Sequence, residues 1–185
     1  MKNPPVHKTP CTAGEDSGLP PILSIVGKSG SGKTSLMERL IREFAARGLH
    51  VGSIKHHLHD FEMDSPGKDS YRHKQAGAER AVISSPHKIG LVMDVDHDYT
   101  LDELSSFFSG MDIVLAEGYK GGDGPKIEIF RPEVHDRPVC LNDEHLIAMV
   151  TDHNPGPKAP RFGLEDTRGL TDFIIRFFEL RRSFV

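Results

Sequence analysis

One run of residues constrains this chain more than any other: Gly27-Lys28-Ser29-Gly30-Ser31-Gly32-Lys33-Thr34, a complete G-x-x-x-x-G-K-[ST] pattern. Its glycines allow backbone conformations closed to other residues, so that successive N–H groups can turn inward toward phosphate oxygens. The pattern works only between a strand and a helix, and both are legible. Ile22-Leu23-Ser24-Ile25-Val26 is a short apolar run after Pro21, which reads as a buried strand. Beyond the loop, Leu36, Leu40, Ile41 and Phe44 recur at three- and four-residue steps between charged residues, and Gly48 is a stop signal. A helix starting at Thr34 aims the positive end of its dipole at the loop. The reading is a nucleoside triphosphate cradle formed by Gly27, Ser29, Gly30, Ser31, Gly32, Lys33, Thr34 and Ser35. Lys33 supplies a mobile charge for the β- and γ-phosphates, and the Thr34 hydroxyl is a small, hard ligand for Mg²⁺.

The rest of the chain alternates strands with helices. Strands are expected at Val51–Ile54, Ala81–Ser84, Ile89–Val95, Met111–Ala116, Lys126–Phe130 and Leu146–Val150, and the Lys126 strand alternates as though half-exposed. Helices are expected from Asp69 to Gln75, after Thr100 with Glu103 completing a capping box, and from Asp166 to Arg182. The last of these should bury Leu170, Phe173, Ile174, Phe177 and Phe178. Asn154 to Pro160 is a proline-rich loop. This order implies a three-layer α/β domain with a mostly parallel central sheet, made mixed by the antiparallel pair around Pro86.

Residues 1–20 read as a disordered tail without the apolar core of a signal peptide, and residues 21–185 as one nucleotide-binding domain. With 37% hydrophobic and 27% charged residues and a net charge of −4, the chain has no global basic field to draw it to nucleic acid or lipid. No apolar run approaches the roughly 20 residues that span a bilayer. Cys11 and Cys140 form no metal or redox pair by spacing, so both read as free thiols in a reducing cytoplasm.

Other residues extend the site. A Mg²⁺–nucleotide site needs an acidic group at the end of a neighbouring strand, and Glu117 falls there; the plain alternative is a solvated turn carboxylate. Lys33 and Glu117 are therefore the candidates for catalysis, and Asp112, at the other end of the same strand, should be remote. Asp152 follows a buried strand and could accept two hydrogen bonds from guanine, or serve only as a turn aspartate, since no complete N-K-x-D motif is present. His56, His57, His59, Asp60, Asp64 and Asp69 crowd one polar stretch whose spacing fits no established zinc pattern. It reads as a switch-type loop with Asp64 or Asp60 near the metal and Lys55, Lys68 or Arg72 meeting anions, or as a solvated loop. Lys28 could reach a partner's nucleotide or face solvent.

In chain order, Gly27–Thr34, Ile54-Lys55-His56-His57, Phe61 through His73, Ala76-Gly77-Ala78, Glu117-Gly118-Tyr119-Lys120 and Lys126-Ile127-Glu128-Ile129 resemble MobB, the molybdopterin-guanine dinucleotide biosynthesis protein B family, over about Ile22 to Asp152. The Pro66-Gly67-Lys68-Asp69-Ser70 and Glu117–Lys120 stretches are the specific parts. The resemblance implies a P-loop NTPase fold and a cytoplasmic homodimer that binds GTP with Mg²⁺ and hydrolyses it weakly. It also implies that the protein assists a partner guanylyltransferase that attaches GMP to molybdopterin, with molybdopterin itself a further candidate ligand. By position, Lys33 and Thr34 would carry the triphosphate and Mg²⁺, Glu117 would take the acidic role, and the stretch around Lys68 would lie near the nucleotide or pterin, while Asp64 for the metal and Asp152 for guanine rest on the residues alone. No residue stands out to position water, in keeping with slow hydrolysis. The alternatives are a small-molecule kinase of the same fold, with Arg72, Arg80 and Arg131 as candidate lid arginines, and a non-enzymatic scaffold switched by GTP.

Overall fold

The runs at 22–26, 113–117 and 146–150 are short and apolar enough to be buried on both faces, and in such strands parallel pairing is the rule. The computed structural model describes residues 18–154, 156 and 159–181. In chain order the elements are β1 (Ile22–Val26), α1 (Lys33–Ala46), β2 (Val51–Lys55), α2 (Asp69–Gln75), β3 (Arg80–Ser85), β4 (Lys88–Met93), α3 (Leu101–Ser105), a 3₁₀ turn at Ser106–Phe108, β5 (Ile113–Glu117), β6 (Lys126–Ile129), β7 (Leu146–Val150), β8 (Arg161–Phe162) and α4 (Thr167–Phe177). The central sheet runs β2-β5-β1-β6-β7-β8, and every pairing in it is parallel. All six strands therefore end on one edge. Chain order reverses at β1, which lies between β5 and β6, and this is where open α/β sheets place ligands.

Side-chain alternation divides the sheet into two faces. Leu23 and Ile25 of β1, Ile113 and Leu115 of β5, Ile127 and Ile129 of β6, and Ala148 and Val150 of β7 face one core. That core is closed by Leu36, Met37, Leu40 and Phe44 of α1 and by Leu170 and Ile174 of α4. Arg47 joins the two helices by pairing with both Glu43 and Asp172. The opposite face is covered differently: the Phe108 ring lies against Gly52, and the chain between Val139 and Asp143 lies over β6.

Several expectations are corrected. The antiparallel pair at Pro86 is real, with Ser85 opposite Lys88, but β3 and β4 form a two-stranded sheet of their own and the central sheet is not mixed. A tight turn closes those strands on each other, and neither bonds to a strand of the central sheet. β6 is wholly buried, not half-exposed. Its alternation is genuine, but the polar side chains are met by protein: Lys126 pairs with Asp143 at 2.5 Å, and the Glu128 carboxylate accepts the N–H groups of Val139 at 2.6 Å and Cys140 at 2.8 Å. Phe177 is 46% exposed, because it continues the Phe173 row along the border of the α4 face. β8 was not foreseen; two residues carry no periodicity. Cys140 is buried and free, and burial, with Glu128 and Asp143 nearby, pushes its thiol up to about 11. Of the expected tail, residues 1–17, with Cys11, lie outside the described residues, as do Pro155, Pro157, Lys158 and the expected helix end at Arg182, while Pro20 is buried.

Glu128 is 1% exposed and satisfies two main-chain donors. Glu128→Ala should cost about 3 kcal/mol of folding free energy, since each hydrogen bond to a charged group contributes roughly 1.5–3 kcal/mol. Glu128→Gln, which keeps one acceptor oxygen, should lose less; urea denaturation of the two variants checks the order.

Candidate functional site

The glycine-rich loop leaves the carboxyl end of β1 and wraps the first turn of α1. A side chain on Gly27 would place its Cβ 2.6 Å from the Ile129 carbonyl oxygen and 2.8 Å from Ser31 Oγ, so only glycine lets the loop turn this close to β6. Gly32 caps α1 in a left-handed conformation, φ 97°, and no side chain fills the cap. The first N–H groups of α1 are thus left to whatever lies in the loop, an arrangement suited to anions. Ser35 is exposed on that first turn.

Lys33 donates from Nζ to the Lys28 carbonyl at 3.0 Å, which holds the ammonium across the loop. Burial pushes its pKa below the ordinary 10.5; Glu117 opposes the shift, while Lys120 and Lys55 add to it. On the other side, Thr34 Oγ1 donates to Glu117 Oε2 at 3.1 Å. The two residues meet because Glu117 ends β5, in register with Ile25 of β1 on one side and Lys55 of β2 on the other. A hydroxyl and a carboxylate at this spacing are hard oxygen donors of the kind Mg²⁺ prefers, and both lie beside the loop that would hold phosphates.

The other candidates make contacts of their own. Asp64 Oδ1 accepts the Ser65 N–H at 2.8 Å, and no hydrogen bond or ion pair joins Asp64 to Thr34 or Glu117 among the described residues. His56 contacts Asp98 at 3.0 Å and packs on Tyr119, with ring centroids 4.6 Å apart. His57 turns to the His59 carbonyl at 2.9 Å. Among the described residues no three His, Cys, Asp or Glu side chains are grouped to hold a metal. Asp152 lies at the loop-bearing edge, beyond β7, where its Oδ1 accepts the Leu164 N–H at 2.9 Å and ties that end to the chain after β8. Arg72 is exposed beside Asp69. Arg80 lines an open cavity of about 380 Å³ with Leu91, Met93, Tyr99, Glu103 and Phe107, on the hairpin and α3 and not on the loop.

The sequence reading missed the segment after β6. His135 Nε2 donates to the Ser29 carbonyl at 2.7 Å, and Val134 Cγ1 lies 3.5 Å from where a Gly30 Cβ would stand. The Arg131 guanidinium lies against Gly32, with its terminal nitrogen 3.6 Å from the corresponding position there. These contacts join residues some hundred positions apart (His135 and Ser29 are separated by 106), so no local spacing announces them.

A family model described as Molybdopterin guanine dinucleotide synthesis protein B, MobB, matches residues 22–152. The chain belongs to the MobB family. This MobB-family chain is 35% identical over 164 residues to the molybdopterin-guanine dinucleotide biosynthesis adapter protein of Escherichia coli (strain K12), covering 86% of this chain and 94% of that protein. The protein of the same name from Haemophilus influenzae (strain ATCC 51907 / DSM 11121 / KW20 / Rd) is 38% identical over 135 residues, covering 72% of this chain and 75% of its own. Among solved structures, a crystal structure of molybdopterin-guanine biosynthesis protein B superposes with a TM-score of 0.69 at 28% identity, over 85% of this chain and 99% of that one. Bacillus subtilis MobB gives 0.65 at 28% identity, over 88% and 99%. The α/β fold with its glycine-rich loop is thus the MobB fold.

The charges around Lys33 make a measurable prediction. Because its folded pKa is lowered, the ammonium should lose its proton at a midpoint below 10.5 as pH rises. Removing the opposing carboxylate in Glu117→Gln should lower that midpoint further, and Lys120→Met should raise it. Titration of ¹³C-methylated lysine resonances reads all three.

Proposed function

We propose that this protein is a GTP-binding adapter in molybdopterin guanine dinucleotide biosynthesis, working in the cytoplasm with a partner guanylyltransferase. The observation that carries the reading is the approach of Thr34 to Glu117 at 3.1 Å beside Lys33, at the uncapped mouth of α1. The domain, residues 21–185, holds the triphosphate against the backbone of Gly27–Thr34. Lys33 meets the β- and γ-phosphates, and Thr34 and Glu117 are the protein ligands of a Mg²⁺ ion. Such an ion, when bound, supplies positive charge that offsets negative charge developing on the phosphates. Lys33 and the loop N–H groups do the same from the protein's side. Asp152, at the end of β7, is the residue proposed to read guanine: with one oxygen held by the Leu164 N–H, its carboxylate is oriented at the edge where a base would lie. Hydrolysis is slow on this reading, and the nucleotide serves chiefly to set the state in which the adapter meets its partner. That partner's substrate, molybdopterin, is a further candidate ligand.

The adapter is proposed to act as a homodimer, and the isolated hairpin supports this. Val82, Ile89 and Leu91, 60%, 73% and 40% exposed, share one face of the hairpin, and Ile83, 53% exposed, lies on the other, so the exposed apolar surface is gathered mainly on one face. Among the described residues no helix is long and apolar enough to cross a membrane.

Isothermal titration with Mg·GTPγS and Mg·ATPγS tests the nucleotide reading. Tighter binding of the guanine nucleotide is expected, and a preference for adenine would reverse the base assignment. Lys33→Ala should weaken either by at least about tenfold, given roughly 1.5–3 kcal/mol for a charge-assisted contact. For the assembly, light scattering should give twice the chain mass, and Val82→Glu with Ile89→Glu should halve it; an unaltered mass in that double variant would place the interface elsewhere.

A further inference from the structure

Arg131 stands out among the cations near the loop because a buried part of its guanidinium lacks a hydrogen-bond partner. Its Nε is buried without a hydrogen-bond partner, and among the described residues no carboxylate or carbonyl accepts from any part of its guanidinium. The neighbouring acid, Glu133, feels the Arg131 charge but turns its carboxylate to His153 at 3.1 Å. A guanidinium stays charged at every pH a protein survives, so the buried Nε cannot shed its need for a partner by losing a proton. Buried donors left unpaired are rare and call for a reason. Its position supplies one: the terminal nitrogen lies 3.6 Å, and Cζ 3.8 Å, from where a Cβ would stand on Gly32, the residue that caps α1.

The segment that carries Arg131 is built to hold it there. The Arg131 carbonyl accepts the N–H groups of Val134 at 3.1 Å and His135 at 3.0 Å, closing a turn. From that turn Val134 packs toward Gly30 and His135 donates to the Ser29 carbonyl. Further along, Glu128 pins Val139 and Cys140. The turn thus touches the loop at three successive places, from the side of β6. The carboxylate of Glu117 approaches from the opposite side, that of β5.

We infer that Arg131 is a second phosphate-binding cation of the loop, its guanidinium fork donating to the oxygens of the bound polyphosphate from the side opposite Glu117. This rests on the phosphate-site reading above and adds a ligand contact to it. Arginine suits the role because its planar fork can give two parallel hydrogen bonds to one phosphate, which an ammonium cannot.

Arg131→Met keeps the length that packs on Gly32 and removes the charge, and Arg131→Lys keeps the charge without the fork. Titrations with Mg·GTPγS and with inorganic tripolyphosphate, which has no base, are run beside thermal melts. The expected result is a loss of about tenfold or more in Arg131→Met for both ligands, a melting temperature of the ligand-free protein that is not lowered, and partial recovery in Arg131→Lys. Wild-type affinity in Arg131→Met would overturn the inference. So would a loss seen with GTPγS but not with tripolyphosphate. A lowered melting temperature in Arg131→Met, with no recovery of affinity in Arg131→Lys, would reduce the residue to a packing role. Should Arg131→Met fail to fold, Arg131→Lys decides, wild-type affinity for both ligands counting against the fork. A wild-type protein that bound neither GTPγS nor ATPγS would remove the phosphate site itself, a failure visible before any variant is made.

Discussion

Parallel pairing of β1 with β5 on one side and β6 on the other decides where every charged group of this site can stand. A parallel sheet ends all its strands on one edge, so residues distant in sequence emerge beside one another there. Ile25 lies opposite both Glu117 and Ile127, which brings the ends of β5 and β6 to either flank of the loop that leaves β1. The Thr34–Glu117 hydrogen bond spans 83 positions and needs no specialised loop to form it. On the β6 flank the same geometry delivers Arg131, Val134 and His135. Helix α1 fixes the third direction, since Leu36, Met37, Leu40 and Phe44 bury its inner face against the sheet and leave its uncapped end at the loop.

The second face of the sheet explains how the β6 flank is kept in place. Helices α1 and α4 share one face, and their packing accounts for the apolar half of β6. The polar half would strand a lysine and a carboxylate under the chain if they were not paired, and an unpaired buried charge is severely destabilising. Lys126 with Asp143, and Glu128 with two main-chain N–H groups, remove that difficulty and at the same time fasten residues 139–143 over the strand. With that segment fastened at its far end and β6 at its near end, the turn at Arg131–His135 has little freedom to swing away from the loop.

Much of this was legible in the sequence, and the division between what was and was not follows from range. The loop pattern, the stripe of α1, the bounds of α2 and the Thr100–Glu103 capping box are local, and each is found where its residues indicate. Glu117 was legible because strand ends gather on one edge. The misreadings share a different cause. Lys126-Ile127-Glu128-Ile129 has the alternation of a half-exposed strand, and only the chain folding back over it turns the polar half inward. The hairpin announced its own pairing at Pro86 but not that it would stand apart from the main sheet. Arg131 was noticed only as a lid arginine; its place over Gly32 depends on β6 lying next to β1, which no spacing encodes. Asp64, a candidate for the metal from its place in the polar loop, gives one carboxylate oxygen to the N–H of its own neighbour and leaves the other unpartnered.

The gathering of like charges is itself an argument about what belongs in the loop. Burial is the main cause that lowers the Lys33 pKa, Glu117 opposes it, and the like charges of Lys120 and Lys55 add to the lowering. Arg131 adds a charge that cannot be titrated away. In a protein whose net charge is −4, acidic residues are not scarce, so a locally cationic pocket is not a by-product of composition. Repulsion among these groups opposes folding, and it falls when an anion of several charges enters their midst. A polyphosphate is such an anion: it would raise the pKa of Lys33, accept from the first N–H groups of α1, and answer the unpaired guanidinium. Ligand binding should for that reason stabilise the fold by more than simple occupancy of a neutral pocket of the same size, because it relieves a repulsion the folded chain otherwise carries.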